Sequence, residues 1–511
     1  MKEIKYSSKF ELLFGQRLLT VLLILLQFAL VLCLIAFGSQ LAWLKIALSA
    51  FSFLTALHQL TRKSKHAFKF PWIFFVLLFP VFGGVMYWIL HFQTLSTKIN
   101  RSLCKSHRQW HNEFRPLCEA QKSEPNSSRD KNFFAFMRNT AHLPAYQNTS
   151  ARYYPDGALM HRDMLEDLKN AKRFIFMEYY IIEEGLMWNS ILEILRERVA
   201  AGVDVRVMYD DLGSLTSLPY NYKKTLQSYG IQCQVFNRFS PRVTCFHNNR
   251  DHRKITVIDG KVSYTGGINL ADEYINQKQP FGHWRDAAVR LQGEVASGFT
   301  LMFLQMWNLL SKSSQSLKEL MTEESETSPS AGWVLPYTDH PTENIHTGEH
   351  IFLHAIQRAQ SNLYITTPYL MIGDELIAAL KNATQSGVDV RIITPGIPDK
   401  KLIYLTTRSY YRELIETGVK IYEYTPGFIH SKNLISDDDF CVVGTSNMDY
   451  RSLYVNFECG ACFYDAPIVE DVKRDMEDVL SLSREVTLAD CKVNLWQGIL
   501  QDICRLFAHI M

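Results

Sequence analysis

The sequence carries almost no surplus of charge: 54 Lys and Arg stand against 52 Asp and Glu, a net of +2 over 511 residues. The large basic field of a dedicated nucleic-acid binder is therefore missing at the level of the whole chain. Cysteine is sparse, with ten in all, at Cys33, Cys104, Cys118, Cys233, Cys245, Cys441, Cys459, Cys462, Cys491 and Cys504. That density excludes a disulfide-stapled secreted domain. Several of these cysteines sit in apolar strand-like runs, where a thiol packs as a small hydrophobe. The one C-x-x-C, Cys459 to Cys462, lacks a second ligand pair at zinc-site spacing, and no dense carboxylate cluster occurs elsewhere. Neither a metal nor another cofactor is expected.

Long apolar runs, by contrast, fill the N-terminal part. Residues 18–37 form a run long enough to span a bilayer, preceded by Lys2, Lys5, Lys9 and Arg17. A second run covers residues 41–57. A third, residues 70–92, is interrupted by Pro80, Gly83 and Gly84 and carries Trp72, Tyr87 and Trp88 as candidate interfacial anchors. Three runs in succession predict an integral, multi-pass membrane region over residues 1–95. Basic residues before the first run, at Arg62, Lys63, Lys65 and Lys69, and at Lys98, Arg101, Lys105 and Arg108 all fall on one side if two runs cross and the third re-enters. That topology places the catalytic region on the cytoplasmic side; three full crossings would place it outside.

Beyond a juxtamembrane linker, residues 96–141, with a loop at residues 122–128, an internal repeat begins. In the first half, residues 142–310, helical spacing over 160–170 and 190–201 alternates with strand-like runs over 173–182 and 203–209. In the second half, residues 346–511, strands over 363–369 and 387–393 flank a helix over 375–386. Gly202-Val-Asp-Val-Arg-Val-Met208 and Gly387-Val-Asp-Val-Arg-Ile-Ile393 are nearly identical. This β-α-β grammar predicts parallel pairing and two similar α/β sandwich halves, joined by a Ser-, Thr- and Glu-rich linker over 311–345. The chain ends in Leu495, Trp496, Ile499, Leu500, Ile503 and Phe507 at helical spacing. Packing of that face against the domain is the expected role, with membrane contact the other reading.

A motif repeats with the halves. His252, Lys254 and Asp259 are followed by Gly266-Gly267-Ile268-Asn269; about 180 residues later His430, Lys432 and Asp437 are followed by Gly444-Thr445-Ser446-Asn447. Each copy reads H-x-K-x4-D-x6-G-[G/T]-x-N within an apolar strand-like run. Residues two apart on a strand share a face, so His and Lys point into one pocket, whereas Asp259 and Asp437 fall on the other parity, where they orient and brace. The pair of motifs resembles the phospholipase D superfamily, in which two such motifs form one active site between two similar halves. The resemblance spans nearly the whole chain.

That resemblance implies a two-step phosphodiester chemistry without a metal. One imidazole attacks phosphorus to give a phosphohistidine, and the other delivers a proton to the leaving alkoxide, then serves as base for the acceptor. Lys254, Lys432, Asn269 and Asn447 would hold the non-bridging oxygens. Asp286 and Glu458 lie about thirty residues beyond their respective histidines, where the superfamily carries acids that orient the imidazoles. The residues leave open which histidine attacks; analogy with relatives whose N-terminal motif supplies the nucleophile points to His252. The flanking segments, such as residues 249–255, 265–274, 427–432 and 444–452 with the Phe79-to-Gly84 run, resemble bacterial cardiolipin synthases. The resemblance implies phosphatidylglycerol and other membrane lipids as partners, no nucleic acid, and a place in the bacterial cell membrane, and leaves the oligomeric state open. A membrane-bound phospholipase D that hydrolyses its substrate shares every one of these residues. An inactive membrane scaffold would usually have lost a His or a Lys, and both motifs are intact.

Overall fold

A computed structural model of the chain describes residues 42–80, 83–84, 87–88, 128–141, 143–238, 249–320, 331–341 and 345–511. The chain divides into two units, one of Met1–Arg101 with Phe239–Asn248 and Ile510, the other of Ser102–Arg238 with Asn249–His509 and Met511.

In the first unit the described part is a helical pair, Ala42–Thr61 and His66–Leu78. Ser52 Oγ donates to the Pro80 carbonyl at 2.6 Å, and the Trp88 indole donates to Thr55 Oγ1 at 3.2 Å. A Cβ at Gly84 would meet the Phe51 ring at 2.6 Å, so glycine is what allows this close return of the chain. The expectation of two or three transmembrane or re-entrant helices over residues 1–95 can be followed only over the second and third runs. Among the described residues no helix is long and apolar enough to cross a membrane. The second run forms a helix whose apolar character is diluted by Ser49, Ser52, Thr55, His58 and Gln59, and the helix described at the start of the third, His66–Leu78, has 13 residues where a crossing needs about 20. The first run, residues 18–37, lies outside the described residues, as do residues 96–127.

Among its described residues the second unit contains 19 strands: β1 Thr149–Tyr154, β2 Phe174–Tyr179, β3 Asp204–Asp210, β4 Gln232–Phe236, β5 Ile255–Ile258, β6 Val262–Gly266, β7 His283–Arg285, β8 Ala288–Gly293, β9 Trp333–Asp339, β10 Asn362–Thr366, β11 Leu370–Met371, β12 Asp389–Pro395, β13 Lys420–Tyr424, β14 Gly427–Ile429, β15 Asn433–Ser436, β16 Phe440–Gly444, β17 Met448–Asp449, β18 Glu458–Tyr464 and β19 Ser483–Val486. One sheet runs β1-β8-β6-β5-β2-β3-β4, and the other repeats that order as β9-β18-β16-β15-β10-β12-β13 with β19 added at the edge. The pairing is mixed. β2, β3 and β4 are parallel, as are β10, β12 and β13, because helices Leu186–Ala200 and Asp374–Gln385 supply the crossovers. The motif strands β5 and β15 instead join antiparallel hairpins with β6 and β16. The parallel pairing expected of the β-α-β units is present, and the motif strands add antiparallel hairpins because the turns after Asp259 and Asp437 are too short for a crossover helix.

The repeated Gly-Val-Asp-Val-Arg has a local cause. Gly202 and Gly387 adopt φ of +87° and +94° directly after those crossover helices. Val203 N–H and Val388 N–H then return to carbonyls of the last helical turn at 3.0 and 3.1 Å, so glycine stops the helix and the valine starts the strand. Helix Val295–Ser311 is buried along most of its length and packs on β4, β5 and β8 of one sheet and on β9 of the other. Across the halves, Tyr153 donates to Asp475 at 2.5 Å and accepts from Asn433 at 2.8 Å, and Arg285 pairs with the same Asp475.

The C-terminal helix, Leu495–Leu506, departs from expectation. Leu495, Trp496, Ile499, Leu500 and Ile503 are exposed, while Cys504 is buried. The helix lies on the domain by its polar side, held by an ion pair from Arg505 to Glu413.

Candidate active site

His252 and Lys254 lie in an extended segment just ahead of β5, and His430 and Lys432 occupy the same place between β14 and β15. What fixes these segments is pairing between the halves. β14 runs parallel to β7 with Ile429 opposite Arg285, and His430 N–H donates to the Arg285 carbonyl at 2.7 Å. Asp251 likewise bridges Phe457, and His252 N–H donates to the Phe457 carbonyl at 2.9 Å. In each case the next residue along the partner segment is an acid, Asp286 or Glu458.

The acids therefore cross over. His252 Nδ1 contacts Glu458 Oε2 at 2.9 Å, and His430 Nδ1 contacts Asp286 Oδ2 at 2.6 Å. Sequence separation assigns each acid to the histidine of its own half; the β7–β14 register and the Asp251–Phe457 bridge reverse that assignment. Each carboxylate has its own support. Asp286 Oδ1 accepts from Ala287 N–H at 2.8 Å, and Glu458 accepts from the Thr445 hydroxyl and from Asn456 Nδ2 at 3.3 Å. A Cβ at Gly267 would stand 2.0 Å from Asp286 Oδ1. The Gly-or-Thr position of the motif thus differs for a reason: glycine leaves room for Asp286, and threonine binds Glu458.

The lysines share this cluster. Lys254 Nζ donates to the His252 carbonyl at 2.6 Å, while Lys432 Nζ contacts its own histidine at the carbonyl and at Nδ1, the latter at 2.9 Å. All six side chains are buried. Burial drives the His252 imidazole down to about 4 against the pull of Glu458, with Lys254 adding to the depression. Burial and Lys432 take His430 down to about 3 despite Asp286. Burial also lowers Lys254 to about 8 and Lys432 to about 7, partly offset by the two acids. The carboxyls of Glu458 and Asp286 are held below the usual range, since the neighbouring His and Lys outweigh the upward effect of burial. At neutral pH both imidazoles are consequently uncharged before substrate binds.

The other motif residues stand apart from the imidazoles. Asp259 and Asp437 sit in the left-handed region, φ +54° and +57°, at the far end of β5 and β15. Asp259 accepts from the backbone N–H groups of Lys172, Arg173 and Phe174 at 2.7–2.9 Å, and Asp437 from those of Gln360, Ser361 and Asn362 at 2.8–3.3 Å. They brace the starts of β2 and β10, not the histidines. Asn269 accepts from Ile181 N–H at 3.0 Å and donates to the Tyr274 hydroxyl at 2.6 Å; Asn447 donates to Asp449 at 3.2 Å. Through Tyr274, whose ring centre is 5.5 Å from that of His430, Asn269 reaches the site indirectly. Trp284 also flanks His430, at 5.4 Å, and Tyr180 meets His252 edge-on at 5.1 Å. Sequence reading missed Tyr180, Tyr274 and Thr445 as site residues, although Tyr274 and Thr445 stand in the quoted motif segments. Among the described residues no group of three or more His, Cys, Asp or Glu is arranged to hold a metal ion.

The sequence matches the family described as cardiolipin synthase, PLD-like domain, over residues 164–307 and 352–480, which hold both halves of this site. The chain belongs to this phospholipase D-like cardiolipin synthase family. Residues 47–90 match a second family, described as phospholipase D-nuclease N-terminal. Among relatives within the cardiolipin synthase family, cardiolipin synthase 2 of Bacillus cereus is 37% identical over 66% of this chain and 66% of its own length. The cardiolipin synthase of Halalkalibacterium halodurans is 30% identical over 88% of this chain and 90% of its own. In fold, the chain is similar to the crystal structure of phosphatidylserine synthase from Haemophilus influenzae, with a TM-score of 0.57 and 16% identity over 74% of this chain and 100% of that one.

Proposed function

We propose that the chain transfers a phosphatidyl group from one phosphatidylglycerol to the glycerol headgroup of a second, yielding cardiolipin and free glycerol. The observation that carries this reading is the crossed pair of dyads: each imidazole has its Nδ1 held by a buried carboxylate of the opposite half, which leaves Nε2 of each as the nitrogen for chemistry beside two lysines. His252, neutral at rest, attacks phosphorus while the bond to glycerol breaks, and His430 gives its proton to the departing alkoxide. A phosphodiester monoanion arriving beside His430 and Lys432 raises the proton affinity of both, which is how the general acid becomes charged only with substrate in place. Lys254 and Lys432 hold the non-bridging oxygens. In the second half-reaction His430 removes the proton from the acceptor hydroxyl, the new phosphorus–oxygen bond forms, and the phosphorus–nitrogen bond to His252 breaks.

The relatives named as cardiolipin synthases support this substrate pair, as does the concentration of lipid acceptors at a bilayer surface. The apolar runs toward the N-terminus attach the chain to the bacterial cell membrane in this reading, with the catalytic region on the cytoplasmic side. A membrane-impermeant thiol reagent should then fail, in intact cells, to label a cysteine introduced in residues 311–320. Purified protein in phosphatidylglycerol vesicles should yield cardiolipin and glycerol in equal amounts. A product dominated by phosphatidic acid would make water the acceptor and the protein a phospholipase D.

A further inference from the structure

The helix Leu495–Leu506 presents the reverse of an ordinary surface helix. Leu495, Trp496, Ile499, Leu500 and Ile503 share one arc at 3.6-residue spacing, and all are exposed, Trp496 at 78% and Leu495 at 74%. The opposite arc is the one fastened down. Cys504 is buried, Arg505 Nη2 reaches Glu413 at 2.6 Å, and its guanidinium lies 4.3 Å from the centre of the Tyr410 ring. A capping box between Asn494 and Gln497 fixes the start of the helix. Turning the apolar arc inward would break the ion pair and the cation–π contact together, so the outward orientation is specified by the sequence.

The helix that carries this face is fastened to one that reaches the segment after Asn447. Glu413 and Tyr410 belong to helix Lys401–Ile415, whose Thr407 Oγ1 accepts from Leu370 N–H of β11 at 3.2 Å. β11 in turn pairs with β17, the two residues after Asn447. Just before and within the start of that helix, Ile397, Lys400, Lys401 and Leu402 are exposed. Lys400 Nζ lies 5.3 Å from the centre of the Tyr369 ring, one residue ahead of β11. On the His252 side, exposed Leu212, Leu215 and Tyr220 follow the end of β3. Their loop is tied by Ser214 to the carbonyl of Tyr180, the residue whose ring meets His252. Apolar side chains are thus exposed on the loop tied to Tyr180 and at the start of helix Lys401–Ile415, and the largest such face, with its tryptophan, is fastened to that same helix.

We infer that this face docks onto a lipid bilayer surface, with the C-terminal helix lying in the interfacial plane and its apolar arc among the acyl chains. An exposed arc of large apolar residues is costly in water and stable at that boundary, where indole is favoured. Lys400, Lys401 and Lys492, all exposed, suit an anionic headgroup layer. The inference extends the phosphatidyltransferase reading by adding how the site meets its lipid, and it can be decided separately from turnover.

The test uses the full chain in phosphatidylglycerol and phosphatidylcholine vesicles with and without brominated acyl chains. The difference in emission between wild type and Trp496→Phe isolates the Trp496 signal, which should be blue-shifted and quenched by the brominated lipid. A signal quenched by aqueous iodide and insensitive to bromine overturns the proposal. So does a Trp496 shielded from both in a protein that sediments as a dimer, since a second copy then covers the face. In a second arm, Leu495→Gln with Ile499→Gln and Ile503→Gln should lower turnover on vesicles by about tenfold or more, and change turnover on a monomeric short-chain phosphatidylglycerol by less than about twofold. Equal effects on both substrates, whether losses or none, overturn it. If the wild type turns over neither, the phosphatidyltransferase reading fails, and the quenching arm still decides the docking.

Discussion

Replacing Asp286 by Asn should disable His430 and leave His252 oriented, although Asp286 and His252 belong to the same half. The Asp286 carboxylate is fully buried and stands 2.6 Å from His430 Nδ1. A charge-assisted hydrogen bond of this kind contributes about 1.5–3 kcal/mol, or about 10- to 150-fold in rate if it is made in the transition state. An amide also permits the wrong tautomer, and the corresponding exchange behind a catalytic imidazole costs about 10⁴ in kcat. Turnover of phosphatidylglycerol by Asp286→Asn is therefore expected to fall by about 10² to 10⁴, with an unchanged far-ultraviolet circular dichroism spectrum. A short-chain lipid nitrophenyl phosphodiester separates the roles, because nitrophenolate leaves without a proton. Its first-turnover burst should survive in Asp286→Asn and be lost in Glu458→Gln, where the attacking His252 is no longer held. The reverse pattern would move the attack to His430. Wild-type turnover of phosphatidylglycerol by folded Asp286→Asn would refute the orienting role altogether.

Gly267→Ala should reproduce the Asp286→Asn substrate pattern, because its Cβ would stand 2.0 Å from Asp286 Oδ1 and push the acid off His430; a displacement of that size costs about 10² in rate, read as kcat on phosphatidylglycerol. With Lys432 at about 7 and Lys254 at about 8, the free enzyme loses positive charge at the site as pH rises through that window, so KM should rise there. Lys432→Arg, which keeps its charge, should flatten this limb, and an identical limb in the variant would contradict the assignment. On the acid side, His430 is held at about 3 against an ordinary 6.5, so the unfolded chain binds the extra proton between these values. Stability should therefore be full above about 6.5 and fall as pH drops below it. His430→Gln should reduce that slope in urea titrations at pH 4 to 7.

Much of the fold was legible because its determinants are local. The helices observed at Gly157–Lys169, Leu186–Ala200 and Asp374–Gln385 lie within a few residues of their expected places, since apolar periodicity and a stopping glycine act within a few turns. The partners of the motif strands were not legible. Whether β5 sits beside β2 in parallel or antiparallel sense depends on the whole chain between them. His252 and Lys254 lie together as strand parity suggests, yet both precede β5, so their direction comes from the Phe457 bridge and not from a strand pleat. The inverted C-terminal helix shows the limit of a hydrophobic pattern, which identifies an apolar arc but not what it faces; Arg505 and Glu413, 92 residues apart, decide that. Over the second apolar run, hydropathy by itself suggested a span, and the polar residues that weaken it, Ser52 and Thr55, are occupied in hydrogen bonds to Pro80 and Phe51.

The two dyads are alike in plan and different in reach, and the difference is compensated locally. Asp286 is one methylene shorter than Glu458, yet its contact with imidazole is the closer, 2.6 Å against 2.9 Å. The room that its carboxylate occupies there is left by the bare Cα of Gly267. Glu458 has one more side-chain torsion to fix, and the Thr445 hydroxyl with Asn456 removes that freedom by hydrogen bonding its two oxygens. Acid and motif residue thus form matched sets, Asp with Gly and Glu with Thr, and each set lies across the half boundary from the histidine it serves. Exchanging one member of a set leaves either a clash or a loose carboxylate behind an imidazole. For that reason the half that carries a histidine cannot by itself hold that histidine in register, and a competent site forms only when both halves are folded against each other.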